Sequence, residues 1–151
     1  MIDAVLSSLG ITLPTPPAAA GSYVPVVATG KLAFVSGQIP VTGGEVKFKG
    51  KVGRDITIEQ GQQAARLCVV NALAQLKQFL GSLDRISRIV KVTGFVSCEP
   101  SFTDHPKVVN GASDLLVQVF GENGRHARAA VGMSSLPLDS AVEVELVVEL
   151  N

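Results

Sequence analysis

Residues 141–150 alternate without a break: Val142, Val144, Leu146, Val148 and Leu150 share one parity, and Glu143, Glu145, Val147 and Glu149 the other. Successive side chains of an extended chain point to opposite faces, so this is a strand with one buried face and one face carrying three carboxylates. Such a strand needs neighbours in a sheet and a layer to cover its apolar side. The covering layer is legible at 57–80, where Ala65, Cys68, Val69, Ala72, Leu73, Leu76 and Leu80 recur at spacings of three and four. That is one buried stripe of a helix, with Gln63, Arg66 and Lys77 outside it. Thr57 and Gln60 form a capping box at its start, and Gly81 ends it. A second helix fits 105–120, with Asp104 as cap, Pro106 in the first turn, and Val108, Ala112, Leu115, Leu116 and Val119 as its stripe.

The remaining strands read as 23–29 and 32–37 across a Gly30-Lys31 turn, then 88–97 with Val90, Val92 and Val96 on one side, then 127–134. Thr42 to Glu45 is a further turn, and 136–140 joins the last two strands. The order is β-β-α-β-α-β-β, an α+β domain with a mixed sheet and both helices on one of its faces. Residues 2–9 read as a short helix, and the Pro-rich run from Leu13 to Gly21 as an extended arm. The expected division is therefore 1–20 as helix and arm, and 21–151 as one domain. The carboxylate face of the last strand is open to three uses: solvation, an oligomer interface, or a ligand pocket in which one glutamate works.

Composition excludes several classes. Thirteen basic residues balance thirteen acidic ones, which counts against a protein built to grip nucleic acid or an anionic membrane. Charged residues are 17% of the chain, below the usual ~25%, so either much of the surface is uncharged polar or part of it is covered by another chain. No apolar run reaches the ~18 residues of a membrane span, and Asp3 stands where a secretory leader carries a positive charge. Cys68 and Cys98 read as two buried thiols of a reducing, cytoplasmic setting. His105 and His126 have no Cys/His cluster around them, so no metal or other cofactor is expected.

Three segments share one resemblance. They are Ser36-Gly37-Gln38-Ile39-Pro40 after an apolar strand, Gly21-Ser22-Tyr23 upstream, and the stretch from Ala127-Arg128 through Leu136-Pro137 to Val142-Glu143-Val144-Glu145. Their order and gaps resemble the reactive-intermediate deaminases, the RidA or YjgF family, over residues 21–150. The resemblance implies a chorismate-mutase-like fold and a homotrimer around a central barrel, with ligand clefts between subunits. It also implies hydrolysis of 2-imino acids, or their enamine tautomers, to 2-keto acids and ammonia.

Carried onto this chain, the resemblance makes Arg128 the substrate-binding arginine. A guanidinium holds a planar carboxylate by two parallel hydrogen bonds and so orients it. Glu143 matches the family's acidic residue, and a placed carboxylate can orient water and relay a proton to the imine nitrogen. Tyr23, Ser36, Gly37, Gln38 and Asn110 match positions near the cleft. Two departures bear on substrate identity. Ala130 stands where many members carry a cysteine, leaving a backbone N–H but no thiol. Ser22 replaces a proline before Tyr23, with Val24-Pro25 following. A second reading is thus a non-catalytic trimer that binds small 2-keto acids or other carboxylates. A ribonuclease reading, attached to some members, has only the small basic clusters at 47–51 and 85–91 behind it.

Overall fold

A computed structural model describes residues 1–16 and 18–151. The expected element order is present with two additions. It runs α1 (Ile2–Ser8), β1 (Val26–Thr29), β2 (Leu32–Gln38), β3 (Val41–Thr42), β4 (Glu45–Val46), α2 (Ile58–Leu80), β5 (Ile86–Ser97), α3 (His105–Phe120), β6 (Ala127–Met133) and β7 (Val142–Leu150). Five strands form one sheet in the order β1-β2-β7-β5-β6. It is mixed, since β5 and β6 run parallel while the other pairs are antiparallel. The turn expected at Thr42–Glu45 closes a separate two-stranded ribbon of β3 and β4.

The alternation of β7 is realised in full. Val142, Val144, Leu146, Val148 and Leu150 are buried, and the residues between them are not. Above that face lie α2, against β2 and β7, and α3, against β5 and β6. Every residue of both expected stripes is buried. Leu73, Leu76, Leu115 and Leu116 reach 0% exposure, and each side chain so placed contributes about 1.5–3 kcal/mol. The Thr57–Gln60 capping box forms as expected, and Gly81 leaves the helix at φ 81°. The two helices touch closely at Gly111, where a Cβ would overlap the Gln62 carbonyl. Gln62 Nε2 also donates to the Lys107 carbonyl at 2.9 Å.

Three expectations are corrected. Strand β1 begins at Val26 rather than 23. Pro25 has no N–H to pair; its carbonyl instead accepts from Ser36 N at 2.9 Å, and Tyr23 stands exposed in the preceding loop. Val90 does not share a side with Val92 and Val96. A bulge makes it the extra residue between the pairs Ile89–Val148 and Lys91–Val147, so Ile89 and Val92 both reach the core. Asp104 precedes α3 but makes no cap hydrogen bond; its carboxylate faces Lys107 Nζ at 3.7 Å.

Helix α1 is fastened rather than free. Asp84 Oδ1 accepts from Ile2 N at 2.8 Å, Lys77 pairs with Asp3 at 3.0 Å, and Leu6 is buried. Within the Pro-rich arm, Pro17 lies outside the described residues. Among the described residues, no helix is long and apolar enough to cross a membrane. Cys68 and Cys98 are both buried and free.

Candidate functional site

The expected site residues fall into two separate groups, and Arg128 and Glu143 stand on opposite faces of the sheet. The first forms where β2 leaves its regular path. A bulge between Val35 and Gln38 bends the strand at Ser36-Gly37, against β7. Gln38 turns inward and donates to the Ser36 carbonyl at 3.1 Å. Asn71 on α2 donates to the carbonyls of Ile39 (3.0 Å) and Val41 (2.9 Å), pinning the segment that follows. Tyr23, Ser36, Gly37 and Gln38 then line one cleft of about 230 Å³ together with Ala18–Ala20 of the arm, Asn71, Gln75 and Leu138.

Glu143 belongs to this group by contact. A Cβ on residue 37 would overlap its carboxylate, so glycine at 37 is what lets Glu143 lie against the bulge. Half-buried there, Glu143 is held above the ordinary carboxylate range, first by loss of hydration and then by the charge of Glu145 two residues on. A carboxyl raised in this way exchanges a proton more readily near neutral pH than an ordinary surface glutamate.

The second group centres on Arg128. In the sheet β5 separates β6 from β7, with Arg128 opposite Val92 and Glu143 opposite Phe95. Arg128 reaches the helix side of the sheet: its Nη1 donates to Asn110 Oδ1 at 2.8 Å and to Ser113 Oγ at 3.1 Å, both on α3. Ala130 is two residues further along the same strand face and is half-buried. Among the described residues the guanidinium has no carboxylate partner, although it is exposed and fixed in place. Within one chain, then, Arg128, Asn110 and Ala130 do not meet Glu143, Tyr23 and Ser36–Gln38.

Three partners were not singled out from the sequence. Ser113 and His126 extend the Arg128 cluster, and Asn71 orders the bulge. Ser113 falls within the polar face of a helix and Asn71 within an otherwise apolar one; neither pattern signals a site. A separate contact joins Cys98 Sγ and His105 Nε2 at 3.4 Å, where burial raises the thiol. Among the described residues no group of three or more metal-ligating side chains exists.

The chain matches the family model described as "YjgF/chorismate mutase-like, putative endoribonuclease" over residues 3–150. It belongs to the YjgF family. It is 47% identical to Protein TCP17 of Trypanosoma cruzi, covering 99% of this chain and 94% of that one. Among solved structures, Atu1372 of Agrobacterium tumefaciens is 48% identical and superposes with a TM-score of 0.92, over 99% of this chain and 93% of that one. TdcF of E. coli, solved with bound serine, is 25% identical with a TM-score of 0.67, over 91% of this chain and 94% of that one.

Proposed function

We propose that the protein is a hydrolytic deaminase of 2-imino and enamine acids, releasing 2-keto acids and ammonia. The observation that carries this reading is Arg128: an exposed guanidinium, held by Asn110 and Ser113, with no carboxylate paired to it among the described residues. Such a group is pre-organised for a substrate carboxylate. Serine, the ligand of the relative TdcF, is a small acid of that kind.

The site is completed between two copies. Arg128, Asn110 and the Ala130 backbone of one protomer supply the anion subsite. Glu143, Gly37, Ser36, Gln38 and Tyr23 of its neighbour supply the proton-transfer subsite. The bound carboxylate sets the C=N carbon near Glu143, whose carboxylate takes a proton from water as the water oxygen bonds to that carbon. Glu143 passes that proton to nitrogen, giving the neutral tetrahedral carbinolamine; it then takes the carbinolamine's hydroxyl proton and delivers it to nitrogen as the C–N bond breaks, so that ammonia leaves and the ketone forms. No oxidant or cofactor is needed, since imine plus water equals ketone plus ammonia.

Surface chemistry supports assembly into a homotrimer. Strand β6 is a seven-residue edge strand of mostly apolar or small residues, with Val131 and Met133 exposed. An unguarded edge of this kind is a pairing surface. On the sheet face away from the helices, Val27 (52% exposed) and Phe34 (45%) border a groove of about 470 Å³ with Lys91, Thr93, Glu145 and Val147. Covering these surfaces with further copies accounts for the low charge content. The balanced charge of the chain counts against RNA cleavage, the activity in the family's description, which has only the small basic clusters at 47–51 and 85–91 to work from.

The test is ammonia release from 2-iminobutyrate generated in situ by an amino-acid oxidase. Purified protein is expected to accelerate decay of the imine, and Arg128→Ala to abolish the effect. Keto-acid binding without any acceleration would replace the deaminase reading by that of a carboxylate-binding trimer.

A further inference from the structure

The hydrogen bonds around Arg128 constrain more than its position. A guanidinium has five N–H groups: two on Nη1, two on Nη2 and one on Nε. Both hydrogens of Nη1 are taken, one by Asn110 Oδ1 and one by Ser113 Oγ. The end-on face, which needs one hydrogen from each Nη atom, is therefore closed to a ligand. The side-on edge, formed by Nε and Nη2, is left.

What keeps Ser113 in this role lies one residue further out. Its Oγ is 2.9 Å from His126 Nε2, and His126 Nδ1 is 2.6 Å from the Gly124 carbonyl. A carbonyl only accepts, so Nδ1 carries the ring hydrogen and Nε2 of the neutral ring is an acceptor. The Ser113 hydroxyl then donates to Nε2 and turns a lone pair toward Arg128. The polarity runs one way, from Arg128 through Ser113 to His126 and on to Gly124.

The surroundings keep the ring neutral. Partial burial is the main cause and the Arg128 charge adds to it. The charged groups about the ring are Arg128 on β6, Arg88 on β5, Arg125 and its partner Glu122 in the turn before β6, and Glu149 on β7. Of these, Arg88, Arg125 and Glu149 line one depression with His126. Helix α3 faces the ring with Ser113, next in sequence to the exposed Asp114.

We propose that Ser113 and neutral His126 are positioning residues for Arg128, and that they present its Nε–Nη2 edge, not its tip, to the substrate carboxylate. The inference rests on the deaminase reading for the identity of the ligand. It goes beyond that reading in assigning two residues and one binding geometry. Neither residue touches the substrate. Their effect passes through the orientation of the guanidinium.

The test pairs calorimetric binding of 2-ketobutyrate with a crystal structure of its complex. In wild-type protein the carboxylate is expected side-on, with one oxygen on Nε and the other on Nη2, and Ser113 still on Nη1. Ser113→Ala and His126→Phe are expected to weaken binding roughly tenfold, the worth of one hydrogen bond to a charged group. Turnover of the imino acid should show the loss in KM with kcat near wild type, because the carboxylate contact is alike in ground and transition states. Ser113→Thr keeps the hydroxyl, and His126→Gln puts an amide oxygen near the place of Nε2; both are expected to bind within about twofold of wild type. A carboxylate bound end-on with Ser113 displaced, or unchanged affinity in Ser113→Ala, overturns the assignment while leaving the deaminase reading intact. No binding of the keto acid by wild-type protein at millimolar concentration overturns both. The complex of the wild-type chain decides the geometry even where a variant does not fold.

Discussion

Glu143 sits half-buried beside Glu145, and both conditions oppose its ionisation. Its folded-state pKa is raised, so the native state holds the proton more tightly than the unfolded chain. The associated stability is therefore present at acid pH and is lost as pH rises through the raised value. Glu143→Gln, neutral and of equal size, is expected to melt about one to two degrees above wild type near pH 7 and to lose that advantage near pH 4. The same variant should reduce deamination by about 100-fold or more, the usual worth of a placed general base. His126 has the opposite sign. Its folded-state pKa is lowered, so its contribution is present above the ordinary histidine value and lost as pH falls through the lowered one. Thermal melts should show His126→Gln below wild type near pH 7.5, with the gap narrowing toward about pH 5. Equal gaps at both values would mean the ring is not held neutral.

At the scale of elements, the helices and β7 were readable because a buried stripe or face is written directly in residue spacing. The stripe from Ala65 to Leu80 and the alternation from Val142 to Leu150 needed no tertiary information. The bulges at Ser36-Gly37 and Val90 were not readable as such. Each inserts one residue into a ladder, and that is a property of two strands in register rather than of one sequence. The exclusion of Tyr23 from β1 is of the same kind: Pro25 removes a ladder hydrogen bond only once the partner strand is known. Of the site, the anchoring residues were legible through the resemblance. Their separation onto two faces was not, since the register of β5 between β6 and β7 decides it. The contact of α2 with α3 gives an element-scale prediction. A methyl group at Gly111 meets the Gln62 backbone, which cannot swing aside as a side chain can. Gly111→Ala is expected to destabilise the fold by about 1–3 kcal/mol in urea titration, the cost of overpacking a close contact. A variant as stable as wild type would show that the helices separate freely there.

For the whole molecule, each chain carries, on the proposed reading, two incomplete halves of one site, with Arg128 and Glu143 on opposite faces of the sheet. One half holds a fixed cation with no paired carboxylate among the described residues. The other holds a carboxyl raised by burial, beside a glycine that makes room for it. The proposed covering of these surfaces by further copies of the chain would give the low charge content, the open apolar face and the unguarded edge strand one common cause. The N-terminal arm fits the same picture, since Ala18–Ala20 border the cleft that holds Tyr23 and the bulge.

Subunit complementation tests this account most directly. Arg128→Ala and Glu143→Gln each remove one half of every site and should each be inactive alone. Unfolded together in equal amounts and refolded, they form mixed trimers in which each interface takes the intact Arg128 half and the intact Glu143 half with even odds. About one quarter of wild-type deaminase activity is then expected, because the site is shared between neighbours. Mixed trimers verified by native mass spectrometry that remain as inactive as the parents would contradict a site built from two copies.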